Sequence, residues 1–146
     1  MTIAQQLNIT DFPFTINNSA GQEIYIENAD GYWDKTEYDT NGNPTRYEDS
    51  DGYWFKQEYD ADGNQTRYEN QYGYWDKIEY DADGNQTRYE DSTGYWTKSE
   101  YDANGKLVYR ETQNGIELDN RPKTELTLDE IAAKFGIPVS QLKIKK

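Results

Sequence analysis

The chain has 146 residues, about one domain's length, with 34% hydrophobic residues, 29% charged residues and a formal net charge of −13. It contains no Cys and no His, which excludes disulfides, thiol nucleophiles, Cys-based zinc sites and every Ser–His catalytic pair. The apolar fraction is below the usual ~45–50%, but 14 Tyr and 4 Trp offset it, because each buries a large ring while keeping a polar tip hydrated.

In chain order, residues 1–11 read as an N-terminal helical cap, with Ile3, Ala4, Leu7 and Ile9 on a short turn. No basic region followed by an apolar run opens the chain, and no stretch is apolar enough to span a bilayer. The expectation is a soluble, cytoplasmic protein without a membrane partner.

Residues 12–120 form a repeated body. Trp33, Trp54, Trp75 and Trp96 stand 21 apart, as do Tyr38, Tyr59, Tyr80 and Tyr101, and Gly42, Gly63, Gly84 and Gly105. A second series, Gly31, Gly52, Gly73, Gly94 and Gly115, keeps the same step, and Gly21 and Glu27 extend it backwards. Asn41-Gly42, Asp62-Gly63, Asp83-Gly84 and Asn104-Gly105 have the preference of two-residue hairpin turns that need positive φ. Asp51-Gly52, Tyr72-Gly73, Thr93-Gly94 and Asn114-Gly115 mark return turns. The spacing predicts an all-β fold: a tandem-repeat antiparallel β-hairpin meander of about ten or eleven strands, extended or rolled, with short helical caps at both ends.

Register follows from the turns. A type I′ turn at Asn41-Gly42 sets Glu37 opposite Arg46, Lys35 opposite Glu48, Tyr38 opposite Thr45 and Thr36 opposite Tyr47. One face then carries a ladder of opposite charges and the Trp series, and the other carries Tyr and Thr. Opposed charges contribute ~0.2–1 kcal/mol each. They serve register more than stability, since a one-residue slip turns every side chain to the wrong face. Constant parity requires an odd number of residues in each return turn, such as Ser50-Asp51-Gly52.

Residues 121–146 read as a C-terminal helical cap with a basic tail. Thr127 is the N-cap, Asp129 and Glu130 lie in the first turn, Ile131, Ala132 and Phe135 form an apolar face, and Gly136 stops the helix. Ser140 opens a second short helix carrying Leu142, and Lys143, Lys145 and Lys146 end the chain. The two ends share a pattern, IAxxLxI against IAxxFxI, which implies similar docking. The segment LTLDEIAAKFGIPVSQLKI resembles half of a helix-turn-helix, or the helical part of a LysM module.

Nearly every carboxylate recurs one repeat later, whereas catalysis needs one unique constellation. No catalytic residue and no cofactor is expected. Asp60-Ala61-Asp62-Gly63-Asn64 resembles a calcium loop, but its glycine is fourth rather than sixth and Glu69 is tenth rather than twelfth, so no metal is expected. Residues 39–59, 60–80 and 81–101 each hold five acids and two bases. With strands ~4.8 Å apart, that is about one charge per 3 Å, against ~1.7 Å in duplex DNA. Such a surface disfavours direct nucleic-acid binding and suits a basic protein. The candidate binding residues are Asp39, Asp49, Asp51, Asp60, Asp62, Asp81, Asp83 and Asp91, with Trp33, Trp54, Trp75 and Trp96.

The unit EYDxxGNxTRYExxxGYW resembles the YD-like or MORN-like tandem repeats of phage and bacterial proteins, over roughly residues 12–120. The resemblance implies a meander of hairpins. Small acidic phage proteins of this look further imply an inhibitor acting in the host cytoplasm on a basic, nucleic-acid-binding host protein. The Trp, Tyr and Gly spacing also resembles choline- and glucan-binding repeats, which implies the alternative: a carbohydrate-binding or structural repeat scaffold using the Trp and Tyr rows.

Overall fold

A computed structural model describes residues 1–122 and 126–141. Helix α1 (Ile3–Leu7) is followed by eleven strands: β1 (Phe14–Asn17), β2 (Glu23–Glu27), β3 (Trp33–Tyr38), β4 (Pro44–Asp49), β5 (Trp54–Tyr59) and β6 (Gln65–Asn70). The series continues with β7 (Trp75–Tyr80), β8 (Gln86–Asp91), β9 (Trp96–Tyr101), β10 (Leu107–Thr112) and β11 (Gly115–Asp119). Helix α2 (Leu128–Phe135) and a 3₁₀ turn (Val139–Gln141) come last. All strands lie in one antiparallel sheet in sequence order, open at β1 and β11. Among the described residues no helix is long and apolar enough to cross a membrane.

The expected register holds through the centre of each hairpin. Lys35 faces Glu48, Thr36 faces Tyr47 and Glu37 faces Arg46. The same pairs recur as Lys56–Glu69 with Glu58–Arg67, and as Lys77–Glu90 with Glu79–Arg88. The turn that sets this register is different from the expected one. Gly42 N–H donates to the Asp39 carbonyl at 3.2 Å and Asp39 N–H to the Asn43 carbonyl at 2.9 Å, so the loop is Thr40-Asn41-Gly42. Gly42 has φ 91°, while Asn41 stays out of the left-handed region that a type I′ turn requires at both central positions.

The loop is therefore a type I turn closed by a left-handed glycine and a bulge. Tyr38 faces Pro44 rather than Thr45, which is the extra residue. The longer loop and the bulge cancel in the count, which is why Glu37 still meets Arg46. The return turn Ser50-Asp51-Gly52 holds three residues, as parity requires, and leads without a bulge to Glu48 facing Trp54 and Tyr47 facing Phe55.

Alternation along these paired strands gives two faces. A ladder face holds Trp33, Lys35, Glu37, Arg46, Glu48 and their equivalents. A tyrosine face holds Asp34, Thr36, Tyr38, Tyr47, Asp49, Phe55 and theirs. The sheet is a single layer, and its strand residues are mostly half-buried; among the described residues the buried hydrophobic side chains are Ala4, Tyr25, Tyr109 and Ala132.

At the first end of the sheet, α1 is anchored on buried Glu27. The Thr2 hydroxyl donates to Glu27 Oε1, and the Ala4 N–H donates to Oε2 at 3.1 Å. At the other end, α2 has the expected Thr127 N-cap and left-handed Gly136. The hydrogen bonds of residues 126–141 stay within that segment, and Phe135 is 70% exposed, so among the described residues α2 does not repeat the docking of α1. Ser140 lies inside the 3₁₀ turn rather than opening a helix. Leu142, Lys143, Lys145 and Lys146 lie outside the described residues.

Candidate binding surfaces

The acids at the first position of each turn build the turn. Asp39 Oδ1 accepts the N–H groups of Asn41 at 2.8 Å and Asn43 at 2.9 Å, and Oδ2 accepts Asn43 Nδ2 at 3.0 Å. Asp60 and Asp81 repeat the arrangement. Asp49 accepts from Asp51 and Tyr53, and Asp91 from Thr93 and Tyr95. The bonds from Asn43 hold the Asp39 carboxyl below the usual carboxylate range, against the opposing effect of burial, and Asn64 and Asn85 do the same for Asp60 and Asp81. These five candidates therefore face inward to their own loops. The Asp60 carboxylate accepts the backbone N–H groups of Asp62 and Asn64, and no group of three or more acids converges as a metal site among the described residues.

Asp51, Asp62 and Asp83 remain free. They sit exposed at turn tips and form no ion pair among the described residues.

On the ladder face one Glu in each hairpin takes both neighbouring cations. Glu48 takes Arg46 at 2.8 Å and Lys35 at 3.8 Å; Glu69 takes Arg67 at 3.0 Å and Lys56 at 3.4 Å; Glu90 takes Arg88 at 3.0 Å and Lys77 at 3.7 Å. Each Arg head thus turns to the Glu two residues along its own strand rather than to the cross-strand Glu37, Glu58 or Glu79. The Arg hydrogen bonds hold Glu48, Glu69 and Glu90 below the usual range. Being half-exposed, each pair is worth ~0–1 kcal/mol.

The four Trp residues form one row on this face. Lys56 Nζ and Lys77 Nζ lie 5.5 Å from the ring centroids of Trp54 and Trp75, within cation–π range. Clefts of about 220, 260 and 300 Å³ separate successive Trp residues, each lined by the intervening Glu, turn glycine and Tyr. A fourth, of about 400 Å³, lies between α1 and Trp33. The row follows the return-turn edge, beside Gly52, Gly73 and Gly94, whereas Asp62 and Asp83 lie on the opposite edge. The candidate residues are therefore two separate surfaces.

Sequence reasoning passed over the polar order of the tyrosine face. Hydroxyl pairs Tyr32–Tyr47, Tyr53–Tyr68 and Tyr74–Tyr89 lie at 3.3, 3.2 and 3.0 Å. Tyr59, Tyr80 and Tyr101 each donate at 3.0 Å to a carbonyl of the preceding strand. On the same face Asp34 directly faces Asp49, and Asp76 faces Asp91. Burial raises the Asp34 and Asp76 carboxyls above their ordinary value, helped at Asp34 by Glu23 and the facing Asp49 and at Asp76 by the facing Asp91. Both contacts follow from the register of Lys35 with Glu48 and Lys77 with Glu90, one residue further on.

The arrangement has parallels among solved structures. A TcdB2–TccC3–Cdc42 structure matches 66% of this chain at 16% identity with a TM-score of 0.50. A Photorhabdus luminescens Tc holotoxin pore and a TcdB2–TccC3–TEV structure each match 77% at 14% identity, with TM-scores of 0.53. What is shared is the fold. The chain spans only 6% of the length of these toxin chains. No family model matches it, and no curated protein does. At the level of fold, the molecule is a tandem-repeat scaffold of stacked hairpins.

Proposed function

We propose that this scaffold is non-catalytic and binds a basic protein surface. What supports the reading is where the negative charge is left over. The ladder face pairs its Lys and Arg with its own Glu residues, so the excess charge gathers at the turn tips Asp51, Asp62 and Asp83 and on the tyrosine face. Asp62 and Asp83 stand two strands apart, about 9.6 Å, on one edge of the sheet, and Asp51 lies on the other edge. The finer reading is an inhibitor of the phage type, which would occupy in the host cytoplasm a groove that otherwise takes nucleic acid.

The test is calorimetric titration of the full chain with an arginine-rich protein, protamine, at low and high salt. Affinity should fall steeply with salt, and Asp62→Asn with Asp83→Asn should weaken it. Binding that ignores both salt and the double variant removes the reading.

The repeated clefts between Trp residues favour a second reading, binding of an extended glycan whose rings stack on the row. Salt-insensitive changes in Trp fluorescence with cello- or chito-oligosaccharides would favour it over the first.

A further inference from the structure

The repeats are not identical, and their differences gather in the middle of the tyrosine face. The first position on that face reads Asp34, Phe55, Asp76 and Thr97 in successive units, and the residues opposite read Asp49, Asn70, Asp91 and Thr112. The second unit thus replaces an acid pair with Phe55 and Asn70. Its return turn also carries Tyr72, 77% exposed, where the others have Asp51, Thr93 and Asn114.

These substitutions make one aromatic patch. The Phe55 ring lies 5.3 Å from Tyr47 with 8° between planes, 5.8 Å from Tyr68 and 6.2 Å from Tyr53. Tyr53 in turn meets Tyr72 at 6.3 Å. The acid pairs Asp34–Asp49 and Asp76–Asp91 flank the patch on either side, two strands away each, or about 19 Å from one another.

Asp49 and Asp91 are accounted for by the turns they build, but stability does not explain Asp34 and Asp76 opposite them. Like charges directly opposed weaken a sheet, and between β3 and β8 this face carries no Lys or Arg to neutralise them. Asp76 Oδ1 is buried without a hydrogen-bond partner. Among the described residues, strands make their extensive contacts only with neighbouring strands, so the face is uncovered. An aromatic centre with a charged rim is the usual anatomy of a protein-binding hot spot.

We propose that this face is the docking surface for the basic partner, and that the partner presents an apolar side chain flanked on both sides by Arg or Lys. The inference rests on the basic-partner reading and adds the surface and the pattern it recognises. An anchor fills the space over Phe55 and Tyr72 while the flanking cations meet Asp34 and Asp76, the two acids of the flanks that build no turn.

The test uses the full chain and two synthetic peptides of equal charge, each with Arg clusters about six extended residues apart, a span of ~20 Å. One carries Leu-Trp-Leu between the clusters and the other Gly-Ser-Gly. The apolar-centred peptide should bind about tenfold more tightly by calorimetry. Phe55→Asp, which installs the residue of the adjoining units, should abolish that preference. So should Tyr72→Thr at its exposed turn tip, while Asp62→Asn leaves it intact. If both peptides bind the wild type equally, or the preference survives both variants, the docking surface is wrong and the basic-partner reading stands. If neither peptide binds, both fall.

Discussion

The Glu27 carboxylate receives the Ala4 amide at 3.1 Å, so one buried acid joins the N-terminal helix to the sheet. Burial pushes this carboxyl upward, but hydrogen bonds from Thr2, the Ala4 amide and Tyr25 together outweigh it and hold it below the usual range. Tyr25, buried and bonded to the same carboxylate, is pushed up to about 12. Glu27→Ala should release α1. Hydrogen exchange at the amides of residues 3–7 should rise about tenfold or more, with the strand amides of β5 to β8 unchanged.

The turn glycines give a second prediction. Gly63 has φ 87°, and a Cβ built there meets nothing within 4 Å. Gly63→Ala should therefore show the backbone penalty alone, ~1–2 kcal/mol, in a denaturant melt. Gly42→Ala should be worse, because its Cβ would lie 3.2 Å from Gln22 Nε2.

Turn acids of one chemical type should behave in two ways. Asp60→Ala removes the acceptor for Asp62 and Asn64 and should lower Tm by a few degrees. Asp60→Asn keeps an acceptor oxygen and should recover most of the loss, and Asp62→Asn should leave Tm unchanged. Equal effects of Asp60→Ala and Asp62→Ala would contradict this division.

That division was partly legible in the sequence. Asn18 stands where other units have Asp39, Asp60 or Asp81, and Asn70 where they have Asp49 or Asp91, and each side-chain oxygen accepts backbone N–H groups of its own turn as those acids do. A position that takes Asn or Asp indifferently requires an acceptor rather than a charge. The strand order and the two faces were legible because the 21-residue step fixes every phase at once. The loop length was not. Asn-Gly and Asp-Gly suit both a two-residue type I′ turn and a three-residue type I turn with a bulge, and both put Glu37 opposite Arg46. The head-group choice of Arg46 was also hidden, since Glu37 and Glu48 are both neighbours on one face.

Acid should unfold the sheet. Glu27, Asp39, Glu48, Asp60, Glu69, Asp81, Glu90, Asp91 and Asp102 are all held below their ordinary values by hydrogen bonds in the folded state. Each contributes stability that is fully present above the unfolded carboxylate value of about 4. That stability is lost as pH falls through the depressed folded value. Asp34 and Asp76 oppose this trend, because a raised folded value favours folding as pH falls through it. Nine groups against two decide the sign, so Tm should fall below about pH 4. A Tm that rose on acidification would show the two raised acids to be dominant.

Asp76 isolates that opposing effect. Its Oδ1 has no hydrogen-bond partner, its Oδ2 accepts only the Tyr74 hydroxyl at 3.4 Å, and it faces Asp91 directly. Asp76→Asn removes one of two facing charges and supplies an amide donor toward Asp91, as Asn70 stands opposite Phe55 in the unit before. Stability should rise by ~0.2–1 kcal/mol in a denaturant melt at neutral pH, and the gain should shrink as acid protonates the wild-type side chain. A loss of stability at neutral pH would mean that the carboxylate has a favourable partner in the folded chain, and that the flank is structural rather than a place held open for a cation.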